Sequence, residues 1–255
     1  MSKLVETEEE TLLSDAARGF LDTAAPITHL RGLRDAGQTH DPELWAELAR
    51  MGWAGVLVPE DAGGADMGHA AAGILAREMG KTLTASPFLS TAVMAATALR
   101  QVADDRTTAA LARIAGGEVT YALALDEGPK FAPEAAQMPA RREGNGFRLD
   151  GEKQFVVDGG FADRLLVLAQ TGEGLTLFDL PADRAGISRD PRQMIDNRDA
   201  ARVRFDGVEA TGEDVLGQVD DAMTVLRPAL EAGQAALAAE LAGLSAGAFG
   251  MTLGY

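Results

Sequence analysis

The stretch KQFVVDGG, at positions 153–160, joins a short apolar strand to a turn that could hold a ligand. Phe155, Val156 and Val157 are residue types favoured in strands, whereas Asp158 and the two glycines after it predict a chain reversal. A strand that ends at a corner with exposed backbone can place a flat ligand against the edge of a sheet. The same pattern is also that of an ordinary hairpin, so both interpretations stay open on these residues alone.

Other groups that could do chemistry lack the spacing that they would need. The histidines His29, His40 and His69 are scattered and do not form a metal-ligand pattern. The run GGADMG lacks the lysine and the following hydroxyl residue of a phosphate-binding loop. The acidic run Glu8–Glu10 stands where a helix is predicted to begin, and the helix dipole explains it there. The sequence therefore predicts no metal site.

Composition restricts the class of protein. A net charge of −16 over 255 residues disfavours nucleic acid and anionic membranes as partners. The lack of cysteine excludes disulfides and fits a reducing compartment. The first residues, MSKLVETEEETLL, are acidic where a signal peptide would be basic and then apolar. The uncharged C-terminal stretch, Leu241–Tyr255, is too short to span a membrane. We therefore expect a soluble, cytoplasmic protein.

The hydrophobic period divides the chain into three parts. Up to Gly116, apolar residues recur with the period of a helix, and Thr7, Asp41 and Asp104 are predicted helix caps. This pattern predicts a helical domain over residues 1–116. Over residues 117–217 the period is two, which predicts a small antiparallel barrel or sandwich with corners at GNGF and LDGEKQ. The predicted strands are VTYALAL, GFRLDGEKQFVV, RLLVLAQ, LTLFDL and ARVRFDGVEA. The helical period returns over residues 218–255, which we interpret as the first helix of a third, helical domain.

This last helix carries two distinct faces. Small residues recur at steps of three and four and form a stripe that predicts a close helix–helix contact: Ala232, Ala236, Ala239, Gly243, Gly247, Gly250 and Gly254. Leucines form a second face: Leu226, Leu230, Leu237, Leu241 and Leu244. Because the chain stops in the middle of this pattern, we expect most of a C-terminal helical domain to be missing, and the chain to self-associate or to recruit a partner through Leu226–Tyr255.

The order of helices, small β domain and long helix resembles the acyl-CoA dehydrogenase family. The stretches that carry the resemblance are LVPEDAGGADMG, NGFRLDGEKQFVVDGGFADRLLVLAQT, RVRFDGVEATGEDVLG and GLSAGAFGMTLGY. GKTLTASPFLSTAVMAATAL and RIAGGEVTYALALDE look most like the small subunit of pimeloyl-CoA dehydrogenase and similar heteromeric enzymes. The resemblance implies an α+β multidomain fold, with an N-terminal helical domain, a middle antiparallel β domain and the start of a C-terminal helical bundle.

The resemblance also implies FAD as the cofactor. In the family, the strand that matches Phe155, Val156 and Val157 packs on the flavin ring, typically as Trp-Ile-Thr, with the hydroxyl facing flavin N5. Phe155 keeps the aromatic character, whereas Val157 offers no hydroxyl. The family's T-E-P-x-x-G-S-D loop, which contacts flavin and acyl-CoA, corresponds to the segment that starts at Asp126, after Leu125. Asp126 stands where the family has a threonine at the flavin, and the alternative is that Asp126 and Glu127 form a solvated turn after the strand YALAL.

The resemblance implies no catalytic residue within this chain. Most family members carry the catalytic glutamate in the part of the C-terminal domain that would follow Tyr255. A few carry it in the helix that begins this segment, where we match it to Gly233, with Gln234 in place of the arginine that usually follows.

The expected function is α,β-desaturation of an acyl-CoA thioester by a flavoenzyme that forms a homo- or hetero-oligomer. Electrons would pass to an electron-transfer flavoprotein or a similar acceptor. One alternative is a non-catalytic partner subunit of a heteromeric acyl-CoA dehydrogenase that does not bind FAD. A lower-ranked alternative is a flavin-dependent monooxygenase or oxidase on the same fold.

Overall fold

A computed structural model describes residues 7–254 of the chain. Its helices before the β region are α1 (Glu8–Ala24), α2 (Ile27–Asp35), α3 (Pro42–Arg50), α4 (Gly68–Thr82), a π-helical segment (Phe88–Ala95) that continues into α5 (Ala96–Arg100), and α6 (Asp105–Ala115). Thr7 caps α1, with a reciprocal hydrogen bond to Glu10. Asp41 and Asp104 cap α3 and α6, as the sequence predicts. Residues 1–6 and Tyr255 lie outside the described residues.

The helical region differs from the prediction in two respects. Helix α2 was not predicted, although Ile27, Leu30 and Leu33 recur at helical spacing; it is only nine residues long, buries only Leu33 and has no side-chain cap. Leu12 falls at helical spacing with Ala16 and Phe20, which predicts a position on the packed face of α1, but it is 68% exposed. The face that is buried instead carries Ser14, Ala17 and Leu21.

Within residues 7–254, seven strands form two stacked sheets. They are β1 (Tyr121–Ala124), β2 (Ala140–Glu143), β3 (Gly146–Val157), β4 (Arg164–Thr171), β5 (Gly174–Pro181), β6 (Ile187–Arg192) and β7 (Ala200–Ala210). One sheet has the order β1-β4-β5 and the other β2-β3-β7-β6. Buried side chains from both sheets pack into one core, in which Phe147 and Phe178 meet edge to face. The fold is therefore the sandwich that the sequence predicts.

Two features of the sheets correct the sequence prediction. The pairing is not wholly antiparallel, since β1 runs parallel to β4. LDGEKQ is not a hairpin corner: it lies inside β3, whose ladder to β7 shifts between Leu149 and Gly151. Gly151 has a φ of +148°, and a Cβ there would lie 2.5 Å from Met138 Cγ, which makes this position a bulge that favours glycine. GNGF does form the predicted corner, between β2 and β3.

The last helix, α7 (Ala222–Leu253), packs closely along α4. A Cβ on Gly243 would lie 1.8 Å from the backbone oxygen of Arg77, and one on Gly80 would lie 2.1 Å from that of Glu240. Only glycine allows two helix backbones to approach so closely. The predicted close contact of the small-residue stripe is thus confirmed for the part that faces α4.

The leucine face of α7 is only partly covered. Leu226 and Leu230 are buried beneath the helical and β regions, whereas Leu237, Leu241 and Leu244 are 38%, 53% and 38% exposed. Helix α7 is the one helix of the described chain that is long and apolar enough to cross a membrane by length and composition alone. That is weak evidence, because the packed helix of a soluble protein passes the same test, and the glycines of α7 already contact α4.

The domain limits at 116/117 and 217/218 stay a prediction. Helices α1 to α6 precede the first limit, the strands lie between the two limits, and α7 follows the second.

Candidate functional site

The end of β3 has an unusual backbone. Its ladder to β7 shifts register between Lys153 and Val156, and Phe155 within that shift has a φ of +50°. A left-handed conformation costs a non-glycine residue about 1–2 kcal/mol. The Phe155 ring is 53% exposed as a result, Val156 is buried in the core of the sandwich, and Val157 is half-buried. The strand thus exposes an aromatic ring next to a residue anchored in the core.

A buried lysine ties this strand end to the second predicted flavin-binding segment. Lys153 Nζ is fully buried and donates to Leu125 O at 3.0 Å and to Glu127 Oε1 at 2.7 Å. The backbone N–H of Gln154 donates to Asp126 O at 2.7 Å. Leu125 itself is 4% exposed, so it can offer a ligand little beyond its backbone. The structure therefore brings together the two segments that the sequence analysis singled out.

Glu127 holds this arrangement by accepting several hydrogen bonds. Burial by itself raises the pKa of Glu127, but hydrogen bonds from Lys153 and from the backbone N–H groups of Gln137 and Met138 lower it below its usual value. The Lys153 pKa is lowered by burial, although Glu127 opposes that shift. Glu127 thus belongs to an ion pair rather than to a solvated turn. The alternation of β3 places Lys153 on the same face as Leu149, which is a signal that sequence analysis could have used.

Asp126 has a buried oxygen without a partner. Its Oδ1 is inaccessible to solvent and accepts no hydrogen bond within the described residues. Burial raises the pKa of Asp126, because the charged form loses its hydration. The backbone N–H of Ala132 and the charge of Lys153 oppose this rise in the pKa.

A cavity of about 430 Å³ lies between α4, α7 and the end of β3. We call it the α4–α7 cavity. Its apolar side is formed by Met79, Phe88, Leu89, Leu237, Leu241 and Leu244. Val157 borders the cavity, and so do the charged residues Asp158, Asp196, Arg198, Asp199 and Glu240. The cavity has therefore one apolar side and one polar end, and the polar end adjoins the predicted flavin-binding strand.

The polar end is organised around Asp158. Ser90 Oγ donates to Asp158 Oδ2 at 2.5 Å. Burial raises the pKa of Asp158 to about 7, the hydrogen bond from Ser90 opposes the shift, and the neighbouring Asp199 adds to it. Asp199 accepts hydrogen bonds from Thr39 Oγ1 at 3.1 Å and from the Gly160 N–H at 2.7 Å.

An ion pair closes the polar end. Arg198 donates to Glu240 of α7, which joins the loop before β7 to the last helix. The local sequence pattern predicts none of these polar residues as part of a site, and it indicates Asp158 only as part of a turn. They come from distant segments of the chain, so no local spacing could have indicated them.

The position matched to the family's early catalytic base carries no functional group. Gly233 is buried, and a Cβ there would lie 2.8 Å from Met94 Cγ. Gln234, the next residue, is exposed. Neither residue lines the α4–α7 cavity, so neither presents an acid or a base to it.

Comparisons with known proteins point to one family. Residues 7–118 match the family described as acyl-CoA dehydrogenase, N-terminal domain. The whole chain is 27% identical over 270 aligned residues to acyl-CoA dehydrogenase FadE12 of Mycobacterium tuberculosis, covering 100% of this chain and 68% of the relative.

Solved structures share the fold. The Tcur3481-Tcur3483 steroid ACAD, in its G363A variant, is 30% identical, with a TM-score of 0.85 over 97% of this chain and 66% of the other. A glutaryl-CoA dehydrogenase of Mycobacterium smegmatis in complex with FADH2 is 20% identical, with a TM-score of 0.87 over 98% and 66%. The chain thus spans about two thirds of the length of these relatives.

The residues present fit a flat flavin ring, though with fewer side-chain donors than the resemblance implies. Phe155 supplies an exposed aromatic face beside a core-anchored strand. The orphaned Oδ1 of Asp126, held next to that strand, is a buried polar atom that a ligand donor would satisfy. Val157 contributes backbone only, since its side chain cannot hydrogen-bond.

Proposed function

Because this chain belongs to the acyl-CoA dehydrogenase family, we propose that it takes part in the FAD-dependent α,β-desaturation of an acyl-CoA thioester. The observation that carries the proposal is the position of β3: the strand predicted to face the flavin ends at the wall of the α4–α7 cavity. Since the chain spans about two thirds of its relatives, the complete activity needs the remaining third of the family's architecture, in continuation or from a partner chain.

Each part of the site would have a separate role. Phe155, the backbone of Val157 and the segment at Leu125–Asp126 would hold FAD, which supplies hydride acceptance when bound. The apolar side of the α4–α7 cavity would exclude water from the acyl chain. The carboxylate that removes the α-proton would come from the remaining third, because Gly233 offers none. Electrons would leave to an electron-transfer flavoprotein or a similar acceptor, and the protein would work in the cytoplasm.

The direct test is FAD binding by the purified 255-residue chain. Titration of FAD, followed by quenching of flavin fluorescence, should give saturable binding, and the visible flavin bands should shift on addition of an acyl-CoA. The Phe155→Ala variant should bind FAD more weakly, whereas Leu12→Ala, which shortens another exposed apolar side chain, on α1 and outside both predicted flavin-binding segments, should not. Absence of saturable binding to the chain, alone and with its natural partner, would reject the proposal.

A second candidate is a non-catalytic partner subunit of a heteromeric acyl-CoA dehydrogenase. The carboxyl at Asp126, the missing hydroxyl at Val157 and the packed Gly233 favour it. The steroid ACAD at 30% identity is named for two components, Tcur3481 and Tcur3483, which is consistent with a paired subunit. Purification with a second chain that carries all the flavin would support this candidate. Oxygen consumption instead of dye reduction would favour the lower-ranked flavin-dependent oxidase.

A further inference from the structure

The π-helical segment Phe88–Ala95 carries two consecutive hydroxyl residues, Ser90 and Thr91, which are 3% and 0% exposed. Consecutive side chains of a regular helix point in directions about 100° apart, so two such hydroxyls can contact different neighbours. Short π-helical stretches inside helices are rare, and they occur frequently at functional sites. In this structure one of the two hydroxyls contacts the end of β3 and the other contacts β1.

Ser90 holds the corner that follows β3. Its Oγ donates to Asp158 Oδ2 at 2.5 Å. Asp158 comes directly after Val157, is 5% exposed and has a φ of +59°. Its backbone N–H donates to Asp199 O at 3.1 Å, and its carbonyl oxygen accepts from the Ala162 N–H at 2.9 Å. The backbone of Asp158 thus forms the corner, and its carboxyl group joins the corner to the π-helical segment.

Thr91 holds the start of β1. Its Oγ1 accepts from the Tyr121 N–H at 2.9 Å and donates to Tyr121 O at 3.2 Å. Because β1 lies at the edge of its sheet, this hydroxyl takes the place that a neighbouring strand would have. β1 ends at Ala124 and leads directly into Leu125 and Asp126. Thr91 therefore helps to set the position of the second predicted flavin-binding segment.

The two predicted flavin-binding segments are also joined to each other. The Gln154 N–H donates to Asp126 O at 2.7 Å, and Lys153 Nζ donates to Leu125 O at 3.0 Å. Together with the two hydroxyl contacts, these bonds close a ring of contacts that runs from the π-helical segment through β1 and β3 and back. A displacement of the π-helical segment would therefore change the position of one predicted flavin-binding segment relative to the other.

We propose that Ser90 and Thr91 are positioning residues of the flavin site, whose hydroxyls fix the end of β3 and the segment at Leu125–Asp126 in one relative position. Neither hydroxyl has to touch the ligand. The residues that contact a ligand must be held to within about 0.5 Å, which requires further hydrogen bonds behind them. The inference rests on the proposed flavin function, but the contacts that it concerns are present without a ligand.

The first test is hydrogen exchange at single amides of the ligand-free 255-residue chain, followed by NMR. The Gln154 amide reports the contact between the two segments, and the Val167 amide, in the middle of β4, reports opening of the whole sandwich. Thr91→Val keeps the shape of the side chain but removes its hydroxyl. We expect Gln154 to exchange about fivefold to tenfold faster relative to Val167, the value of one lost hydrogen bond. Thr91→Ser keeps the hydroxyl and should leave the ratio as in the wild type.

Thr97→Val is the matched control. Thr97 is also buried on the same helical run, but its Oγ1 donates to Val93 O within that run. This variant should lower stability without a selective effect on Gln154. Ser90→Ala should give the same selective increase as Thr91→Val, and it decides the question if thermal melting shows that Thr91→Val does not fold. A purely structural role would accelerate the exchange of both reporter amides equally. That outcome, or a selective effect of the control, would overturn the proposal.

FAD titration of the same variants connects these contacts to the ligand. Ser90→Ala and Thr91→Val should each raise the dissociation constant of FAD about fivefold, whereas Thr97→Val should not. In a Phe155→Ala background the effect of Ser90→Ala should become smaller, because Ser90 acts through the end of β3. Unchanged FAD affinity in both variants, with FAD bound to the wild type, would overturn the proposal. If the wild type binds no FAD, the proposed function fails, whereas the exchange ratios still decide whether the π-helical segment holds the two segments together.

Discussion

At the scale of single residues, a substitution at Val157 tests whether the end of β3 contacts the flavin ring or is an ordinary strand end. If this residue faces the flavin, the Val157→Thr variant gains one hydrogen bond and should bind FAD more tightly by about 1 kcal/mol, roughly fivefold. Fluorescence titration measures the change. Val156→Thr is the matched control, since Val156 is buried in the sandwich core and a hydroxyl there should lower stability without tightening FAD. Equal affinity of wild type and Val157→Thr, with FAD bound to both, would place Val157 away from the ring.

Asp158 makes stability depend on pH with an unusual sign. Its pKa rises from 3.8 to about 7 in the folded protein, so the folded state holds a proton that the unfolded state releases. The free energy of unfolding should therefore fall as the pH rises from about 4 to 7 and level off above. A shift of this size corresponds to about 4 kcal/mol at most.

The Asp158→Asn variant removes this titration. Urea unfolding of wild type and variant at pH 4.5 and pH 8 should show the variant gaining a few kcal/mol relative to wild type at the higher pH. The Asp196→Asn variant serves as control, because its side chain is 59% exposed. If the free energies of unfolding of Asp158→Asn and wild type differ by the same amount at both pH values, the raised pKa of Asp158 is contradicted.

At the scale of elements, the contact of α4 with α7 depends on glycine at particular positions. Gly243→Ala forces a methyl group against the backbone oxygen of Arg77, and should destabilise the protein by about 1–3 kcal/mol or more. Gly250→Ala lies on the same helix with nothing within 4 Å, so it should stabilise by up to about 1 kcal/mol through helix propensity. Thermal unfolding compares the two. Destabilisation by both, or by neither, would mean that α7 does not pack on α4 in this register.

The elements also show which parts of the fold the sequence predicts. The strands β3, β4, β5 and β7 are apolar on at least one face and were predicted, whereas β2 and β6 were not. Both missed strands lie at the edges of their sheet and carry charged, exposed residues, which removes the period-two apolar signal. The parallel pairing of β1 with β4 has no local signature either, because it joins strands that are not adjacent in sequence.

The candidate site, like the strands, contains a part that the sequence predicts and a part that it does not. The end of β3 was predicted from a run of consecutive residues, and the resemblance indicated the segment at Leu125–Asp126. The polar end of the cavity was missed, since its contacts, Ser90 with Asp158 and Arg198 with Glu240, join segments that are far apart in sequence.

At the scale of the whole molecule, the uncovered part of the leucine face argues for association. Sequence analysis predicts association through Leu226–Tyr255. Leu226 and Leu230 are buried, so the surface available for association begins after Leu230. Tyr255 lies outside the described residues. Leu237, Leu241 and Leu244 remain exposed, and so do three further large apolar residues, Phe249, Met251 and Leu253. Burying a fully exposed side chain of this kind stabilises a protein by about 1.5–3 kcal/mol. An apolar patch on the surface of a monomer is therefore typical of an interaction surface.

We therefore predict that the chain self-associates, or recruits a partner, through this exposed part of α7. Light scattering at micromolar concentration should give a mass above that of the 26.7 kDa monomer. Salt near 0.15 M is needed, because a net charge of −16 opposes contact between copies at low ionic strength. Leu241→Glu should shift the population towards the monomer, since it puts a charge in the centre of the patch. The control Glu231→Gln, at an exposed position of the same helix, should not. The prediction is wrong if the protein is a monodisperse monomer and the amides of α7 are protected from hydrogen exchange. The apolar patch would then be stable in water without a partner.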